Sequence, residues 1–306
     1  GPEGRDGVRC VMDYRFVNKF TIPDPVVPPD MMTVMQRIGQ SKYISTFDGR
    51  SSYHVIPVHP NHQWLTAFVH ESLIYAWSRT PYGMRNSGSS FLRMIQHVLA
   101  PIKTFTEAFV DDMAVCSETW NEHLKHIDLY LQTIQQSGLT LNIKKTNLAK
   151  PEVKFCGNII GSGTRRVDPD KIKAVKQLQR PQNKKQVRQI LGLFSWFRDY
   201  IPAFAEHARV LTELTSKRVS NPIPWSDKCQ NSFTCLQNLL CDAVDRPLQV
   251  IDWTRPFNLY SDASDCCVAG ALSQTDTNGK EMPIAFYSKK LNSTQRAWPI
   301  IHKEAY

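Results

Sequence analysis

Short apolar runs broken by single polar or charged residues fill the first half of the chain, and apolar positions at helical spacing fill much of the second. Residues 42–48 alternate and are rich in β-branched and aromatic side chains, which predicts a strand delivering Asp48 at its end, with Gly49 just beyond. Residues 64–69 and 74–77 read as the two arms of a hairpin. Ala108-Phe109-Val110 and Met113-Ala114-Val115 are too short and unbroken for helix faces and read as buried strands. Asp111-Asp112 between them reads as the tight turn of a second hairpin. Helical spacing over 87–99 places Phe91, Met94, Ile95, Val98 and Leu99 on one face. A longer helix over about 118–136 shows Leu124, Ile127, Leu131 and Ile134 as its stripe and Gly138 as its stop. Residues 31–38 form a short amphipathic helix ended by Gly39. Arg5-Asp6-Gly7 is a turn signal before the alternating stretch 8–14, a hairpin with a cationic edge, and four prolines between 23 and 29 mark an extended segment.

Leu139–Leu141 and residues 153–160 are strand-like and flank the basic pair Lys144-Lys145. Beyond them Asp168-Pro169 is an N-cap with proline at the first helical position. Ile172, Val175 and Leu178 line the next helix, up to Pro181. A second helix over about 183–200 turns Val187, Ile190, Leu191, Phe194 and Phe197 inward, and a third runs over about 203–215. Residues 168–217 therefore predict a compact basic helical bundle, and 218–224 a linker. Trp225-Ser226-Asp227 opens another helix through Phe233, Leu236 and Leu240. Strands over 256–262 (ending in Asp262), 267–273 and 284–287 come after it, with a hairpin loop at 275–279. Strands and helices mixed with hairpins argue an α+β fold rather than a doubly wound parallel sheet.

At 306 residues and 42% hydrophobic, the chain can bury two or three domain cores. Its net charge of +9 is concentrated: residues 141–200 hold 14 Lys/Arg against 4 Asp/Glu, and the remainder is near balance. A confined basic block points to a polyanion partner, of which a phosphate backbone is the commonest; an ordinary solvated helix face is the plainer alternative. The eight cysteines show no Cys-x-x-Cys spacing and read as reduced intracellular thiols. His123 and His126 lie three apart on a predicted helix without a partner at metal spacing, so no zinc site is expected. No apolar run approaches the ~18–20 residues of a membrane span. The chain starts at Gly rather than Met and stops inside a helical pattern, and so reads as a fragment or as part of a polyprotein.

Taken alone, Asp111-Asp112 is as well explained by a plain polar turn as by a metal site. Two like charges on a hairpin tip repel unless a cation is shared, and Asp48, on another predicted strand, supplies a third carboxylate. Three carboxylates on one sheet suit phosphoryl transfer with two Mg²⁺ ions, which take oxygen ligands and sit about 3.5–4 Å from each other. Eight stretches, in order, carry a resemblance. They are 9–18, 47–54, 66–68, 81–86, 109–112, 138–142, 155–157 and 191–193. Over residues 9–215 the chain resembles the reverse transcriptase of gypsy-type LTR retrotransposons; residues 260–264, 270–274, 284–288, 290–292 and 303–305 carry a second resemblance, over 225–306, to the ribonuclease H domain that comes after it in such elements.

The resemblance implies a right-hand polymerase with fingers, palm and thumb, followed by an incomplete ribonuclease H-like α/β domain. The expected divisions are partial fingers over 1–40, palm with the remaining fingers over 41–167, thumb over 168–217, the linker, and then 225–306. It implies that Asp48, Asp111 and Asp112 are catalytic and hold two Mg²⁺ (or Mn²⁺) ions. Arg9 would hold the incoming triphosphate, although as a lone strand arginine it reads more simply as solvated. Tyr53 would stack under the deoxyribose as the gate against a 2′-hydroxyl, and Tyr82 would line the nucleotide pocket. Lys144 and Lys145 would lie near the phosphates, and Phe155-Cys156-Gly157 in the hairpin that grips the primer end. Asp262 and Glu304 match the first two ribonuclease H acids, and the further carboxylates that the family needs lie beyond the chain, so no ribonuclease H activity is expected. The implied partners are an RNA or DNA template with primer, dNTPs, and the protease and integrase of a Pol polyprotein. The implied setting is a cytoplasmic particle or the nucleus, without a membrane. Phe109 stands where the family usually has Tyr, and Gly49 where Leu is more usual. Two rivals remain: a non-catalytic transposon relic that binds nucleic acid, and a template-independent nucleotidyltransferase.

Overall fold

The computed structural model describes residues 11–50 and 52–304, so Arg9 and the predicted hairpin around Asp6-Gly7 lie outside the described residues. The chain divides into two compact units, Gly1–Cys156 and Gly157–Tyr306.

The first unit is built on β1 (Tyr43–Asp48), after the helices α1 (Arg15–Phe20) and α2 (Met31–Gln40). Ile44 to Phe47 are all buried, which explains the near-continuous apolar and small-residue run; Asp48 is the point at which the strand leaves the core. The predicted hairpin at 64–77 is shorter than its pattern. Pro60–Thr66 is a 3₁₀ turn, and only β2 (Phe68–His70) and β3 (Leu73–Tyr75) pair, around Glu71 and Ser72, both at positive φ. Helix α3 (Ser87–Leu99) ends where its periodicity predicts. β4 (Thr106–Phe109) and β5 (Asp112–Ser117) form the acidic hairpin, α4 (Trp120–Ser137) comes next, and β6 (Asn147–Lys150) and β7 (Glu152–Phe155) close the unit. The central sheet runs β4-β5-β1-β6 with every pairing antiparallel. Phe47, Met113 and Val115 from this sheet pack with Phe91, Ile95 and Leu99 of α3 and with Tyr130 and Ile134 of α4. The predicted strand at Leu139–Leu141 makes only an isolated bridge to Gly49. Its backbone instead ties down the end of β1, where the Arg50 N–H donates to Thr140 O and the Asn142 N–H to Asp48 O, both at 2.8 Å.

Helix α4 starts on a capping box between Thr119 and Glu122 and stops at Gly138, whose φ of +72 is free of strain only for glycine. Its inward face differs from the expected stripe. Leu124 and Leu131 are exposed, whereas His123, Tyr130 and Ile134 are buried. His123 can sit inward because both ring nitrogens are satisfied, by Ser45 Oγ at 2.8 Å and Ser117 Oγ at 2.9 Å. Burial, and to a lesser degree neighbouring His126, push its pKa down. The folded chain therefore keeps His123 neutral, while the unfolded chain takes up a proton near the ordinary value of about 6.5. The resulting stability is complete above that value and falls as pH drops through it. The melting temperature of the wild type should decline as pH is lowered from about 7.5 to about 5.5, and His123→Asn should melt lower at the upper pH but with a flatter slope; equal slopes would contradict this.

The second unit starts with β8 (Asn158–Gly161) and β9 (Thr164–Val167), and continues with α5 (Pro169–Lys176), α6 (Lys184–Trp196), α7 (Phe204–Glu213) and α8 (Asp227–Asp242). The expected cap at Asp168 is in place, accepting from the Asp170 backbone, and Asn183 and Ser226 cap α6 and α8 in the same way, accepting from the backbone of Gln186 and Cys229. α6 stops at Trp196, short of the predicted Tyr200, because the chain tightens into a 3₁₀ turn at Arg198–Tyr200 that lets Tyr200 donate to Asn158 Oδ1 at 2.9 Å. β10 (Leu248–Gln249) pairs with β9. β11 (Asn258–Ala263), β12 (Cys267–Thr275) and β13 (Glu281–Lys290) form an antiparallel sheet, followed by α9 (Ser293–Arg296) and α10 (Ile300–Glu304). One apolar core runs through α5, α6, α7 and α8, and Ile223 from the segment read as a linker is buried in it. The three-stranded sheet is tied to these helices through β13. Ser288 accepts from the Ala205 N–H on its hydroxyl at 2.8 Å and from the Arg198 guanidinium on its carbonyl at 2.6 Å. Among the described residues no cysteine is disulfide-bonded and no helix is long and apolar enough to cross a membrane.

Candidate active site

Antiparallel register sets Asp48 on β1 directly opposite Asp112 on β5. Asp112 in turn faces Phe109 on β4, so the two residues of the loop are Val110 and Asp111, not Asp111 and Asp112 as the turn rule suggests. The tip is strained: Val110 takes φ +58, a region β-branched residues avoid. Such strain persists only where the surroundings over-determine it, and it clusters at functional sites. Asp111 is exposed at the tip and Asp112 is half-buried.

Charge is only partly balanced here. The Asp112 carboxyl is held above the usual range by burial first, then by Asp111, with Asp48 adding a smaller push; the Cys156 backbone N–H, 3.4 Å from Oδ2, acts the other way. Lys145 places its ammonium 3.3 Å from Asp48 Oδ2, and Lys144 is exposed on the same turn. The donor set suits a hard divalent cation, since it consists of carboxylates on the adjoining strands β1 and β5 and on the loop between β4 and β5, close enough for Asp111 and Asp48 to act on Asp112. The grouping is two acids opposed plus one adjacent. Among the described residues no three His, Cys, Asp or Glu side chains converge into a metal-holding group.

Beside the acids lies an aromatic cluster. The Tyr53 ring stands edge-on to Tyr82 (5.2 Å, 74°) and to Phe91 (5.7 Å, 86°). Burial raises its phenol pKa, and Asp111 and then Tyr82 add to this, which places Tyr53 in the electrostatic field of the hairpin tip. His54, not singled out from sequence, stacks on Trp77 (5.2 Å, 8°) and meets Tyr82 edge-on at 5.0 Å. Its position next to Tyr53 was the only available signal.

Of the three residues expected to touch a primer, Phe155 is fully buried. The alternation of β7 turns Val153 and Phe155 inward, so a nucleic acid would meet the turn after this strand rather than this ring. Cys156 and Gly157 in that turn have φ of +48 and +77.

Residues 2–160 match the family model for reverse transcriptase (RNA-dependent DNA polymerase). The chain belongs to the reverse transcriptase family. Residues 225–306 match an RNase H-like domain found in reverse transcriptase. The chain is 31% identical, over 99% of its length, to a retrovirus-related Pol polyprotein from transposon opus of Drosophila melanogaster, and 30% identical over 98% to that from transposon gypsy. It spans about a third of the length of each of these curated relatives. Among solved structures it is similar to the foamy viral protease-reverse transcriptase in complex with dsDNA, with a TM-score of 0.84 and 27% identity over 98% of this chain and 62% of that one. It is also similar to the same enzyme in complex with RNA/DNA hybrid, with a TM-score of 0.81 and 27% identity over 97% of this chain and 40% of that one. These likenesses bear out the right-hand polymerase followed by an RNase H-like domain that the ordered sequence blocks imply.

In the RNase H-like part of this reverse transcriptase family member, Asp262 lies on β11 with Ala269 and then Ser288 across the sheet. It lines a crevice of about 20 Å³ together with Glu206 of α7, Ser264 and Cys267. Glu304 is exposed on α10, which packs beside β11, and its neighbour Lys303 is buried 3.2 Å from Asp265. No third carboxylate joins Asp262 and Glu304 into a metal-holding group among the described residues.

Proposed function

We propose that the chain is the RNA-directed DNA polymerase portion of a retrotransposon Pol polyprotein, adding dNTPs to a primer 3′ end on an RNA or DNA template. The observation that carries this reading is the opposition of Asp48 and Asp112 beside Asp111, at the tip of a strained hairpin in a chain of the reverse transcriptase family. Asp48, Asp111 and Asp112 are the residues that would hold Mg²⁺ or Mn²⁺; reverse transcriptases are divalent-metal dependent, and two such ions would activate the attacking hydroxyl and neutralise the leaving pyrophosphate. Lys145, ion-paired to Asp48, limits the negative charge that an incoming triphosphate meets. Tyr53 and Tyr82 wall the sugar, and the turn at Cys156-Gly157 steadies the primer end. The lysines and arginines of α5 and α6 track the phosphate backbone by charge.

The test is metal-dependent primer extension on an RNA template, with homopolymer templates and matched or mismatched dNTPs. Matched dNTPs alone should be incorporated. Equal use of mismatched dNTPs would favour the template-independent transferase, and no extension with intact binding would favour the relic.

The aromatic wall has its own consequence. Tyr53→Val opens the floor under the sugar without touching a carboxylate. It should raise ribonucleotide incorporation relative to deoxyribonucleotide by roughly 10–100-fold, the scale at which a pocket discriminates by shape. Unchanged discrimination would remove Tyr53 from the nucleotide pocket. Among the described residues no third carboxylate groups with Asp262 and Glu304, and we propose that these two hold metal weakly; residues 1–306 should release no short products from a labelled RNA–DNA hybrid, and release would overturn that.

A further inference from the structure

We propose that Cys156 is a positioning residue that fixes the Asp112 carboxylate and ties it to the turn after β7. The inference rests on the polymerase reading above and deepens it. Two donors from one residue meet one oxygen: the Cys156 backbone N–H lies 3.4 Å and its thiol 3.8 Å from Asp112 Oδ2. The φ of +48 at Cys156 is uncommon for a residue with a side chain, and it is the conformation in which both donors reach Asp112.

Asp112 needs such a clamp more than its neighbours do. It stands opposite Asp48 and adjacent to Asp111, so both drive its carboxylate away in the absence of a cation. Asp48 has Lys145 to answer this repulsion, and Asp111 is exposed to water. Asp112 is half-buried, and the interactions that favour its charged form are those from Cys156. A thiol is a weak donor, but a hydrogen bond to a charged acceptor is worth more than one to a neutral acceptor, and two donors on one oxygen restrain rotation of the carboxylate. The same residue begins the turn expected to face the primer, so one side chain links the placement of an acid to the placement of the primer end.

The experiment uses the full chain with Cys156→Ala, Cys156→Gly and Cys156→Ser. The readouts are kcat and the KM for template–primer, together with Mn²⁺ binding to the protein alone by electron paramagnetic resonance. Alanine should weaken Mn²⁺ binding and lower kcat, each by roughly fivefold, as expected for one weak hydrogen bond to a charged group. The KM for template–primer should stay within about twofold, because the phosphate contacts are untouched. Serine, which keeps a donor, should recover most of both losses. Glycine relieves the positive φ and, like alanine, keeps the backbone N–H but has no side-chain donor, so it should behave like alanine. Wild-type Mn²⁺ binding and kcat in the alanine and glycine variants would overturn the proposal, as would an effect confined to the KM for template–primer. Should the wild type fail to extend a primer at all, the polymerase reading falls, while the Mn²⁺ arm still tests the clamp on Asp112 by itself.

Discussion

Asp111→Asn will abolish primer extension, lowering its rate by about 10³-fold or more, which corresponds to roughly 4 kcal/mol or more of transition-state stabilisation. The substitution is isosteric and lies at an exposed hairpin tip, so the fold has little reason to respond. It removes one of three carboxylate charges and an anionic oxygen proposed to hold the metal, which no amide oxygen replaces at equal strength. Template–primer affinity should be unchanged or slightly tighter, because a negative charge facing a polyanion has gone while the basic surface remains. Asp48→Asn should act in the same direction and would also release Lys145 from its ion pair. Both variants are checked by single-turnover extension alongside fluorescence anisotropy on the same template–primer. Extension near the wild-type rate in Asp111→Asn would remove the acids from the chemistry.

The ordered blocks made the fold class readable, and single out the candidate acids, because they are local: a strand running into Asp48, two apolar runs around Asp111-Asp112, a glycine at 138, an Asp-Pro cap at 168. The features that could not be read were decided by partners distant in sequence. The turn of the acidic hairpin sits one residue earlier than its residue types suggest, since Phe109 pairs with Asp112 and Val110 is forced to positive φ. Local preference would have put Asp there, but the buried register of β5 against β1 outweighs it. The inward face of α4 departs from its periodicity for the same reason. A histidine counts as polar in any periodicity, and only Ser45 and Ser117 on two other elements make its burial cheap. Strand β6 is short, largely exposed and carries Asn147 and Lys150, so it shows no strand pattern of its own and forms by pairing with the edge of β1. The clamp on Asp112 was equally hidden, because Cys156 lies 44 residues away and nothing in a thiol's neighbours announces a carboxylate partner.

Leu236→Ala will destabilise the second unit by about 2–5 kcal/mol, the usual cost of a leucine cavity in a well-packed interior. Leu236 is completely buried on α8, within the sequence region that matches the RNase H-like domain, yet its core also contains Val175 of α5, Phe194 of α6 and Leu211 of α7. A family boundary drawn at residue 225 therefore does not coincide with a break in packing. Phe194 and Phe233 meet edge-on across it at 6.5 Å, and Phe233 meets Trp225 at 6.1 Å. If the helices upstream of 218 formed a core of their own, a cavity at Leu236 would loosen only α8 and the strands after it. Because they share one interior, amides in α5, α6 and α7 should lose hydrogen-exchange protection together with those of α8, in one cooperative step. The measurement is exchange by mass spectrometry on wild type and variant, with denaturant melts to set the free-energy scale. Protection lost in α8 alone would mean that the basic helices are held by their own contacts. Loss across all four helices would mean that the surface expected to track the template–primer backbone depends for its rigidity on residues of the RNase H-like region, as the shared core requires.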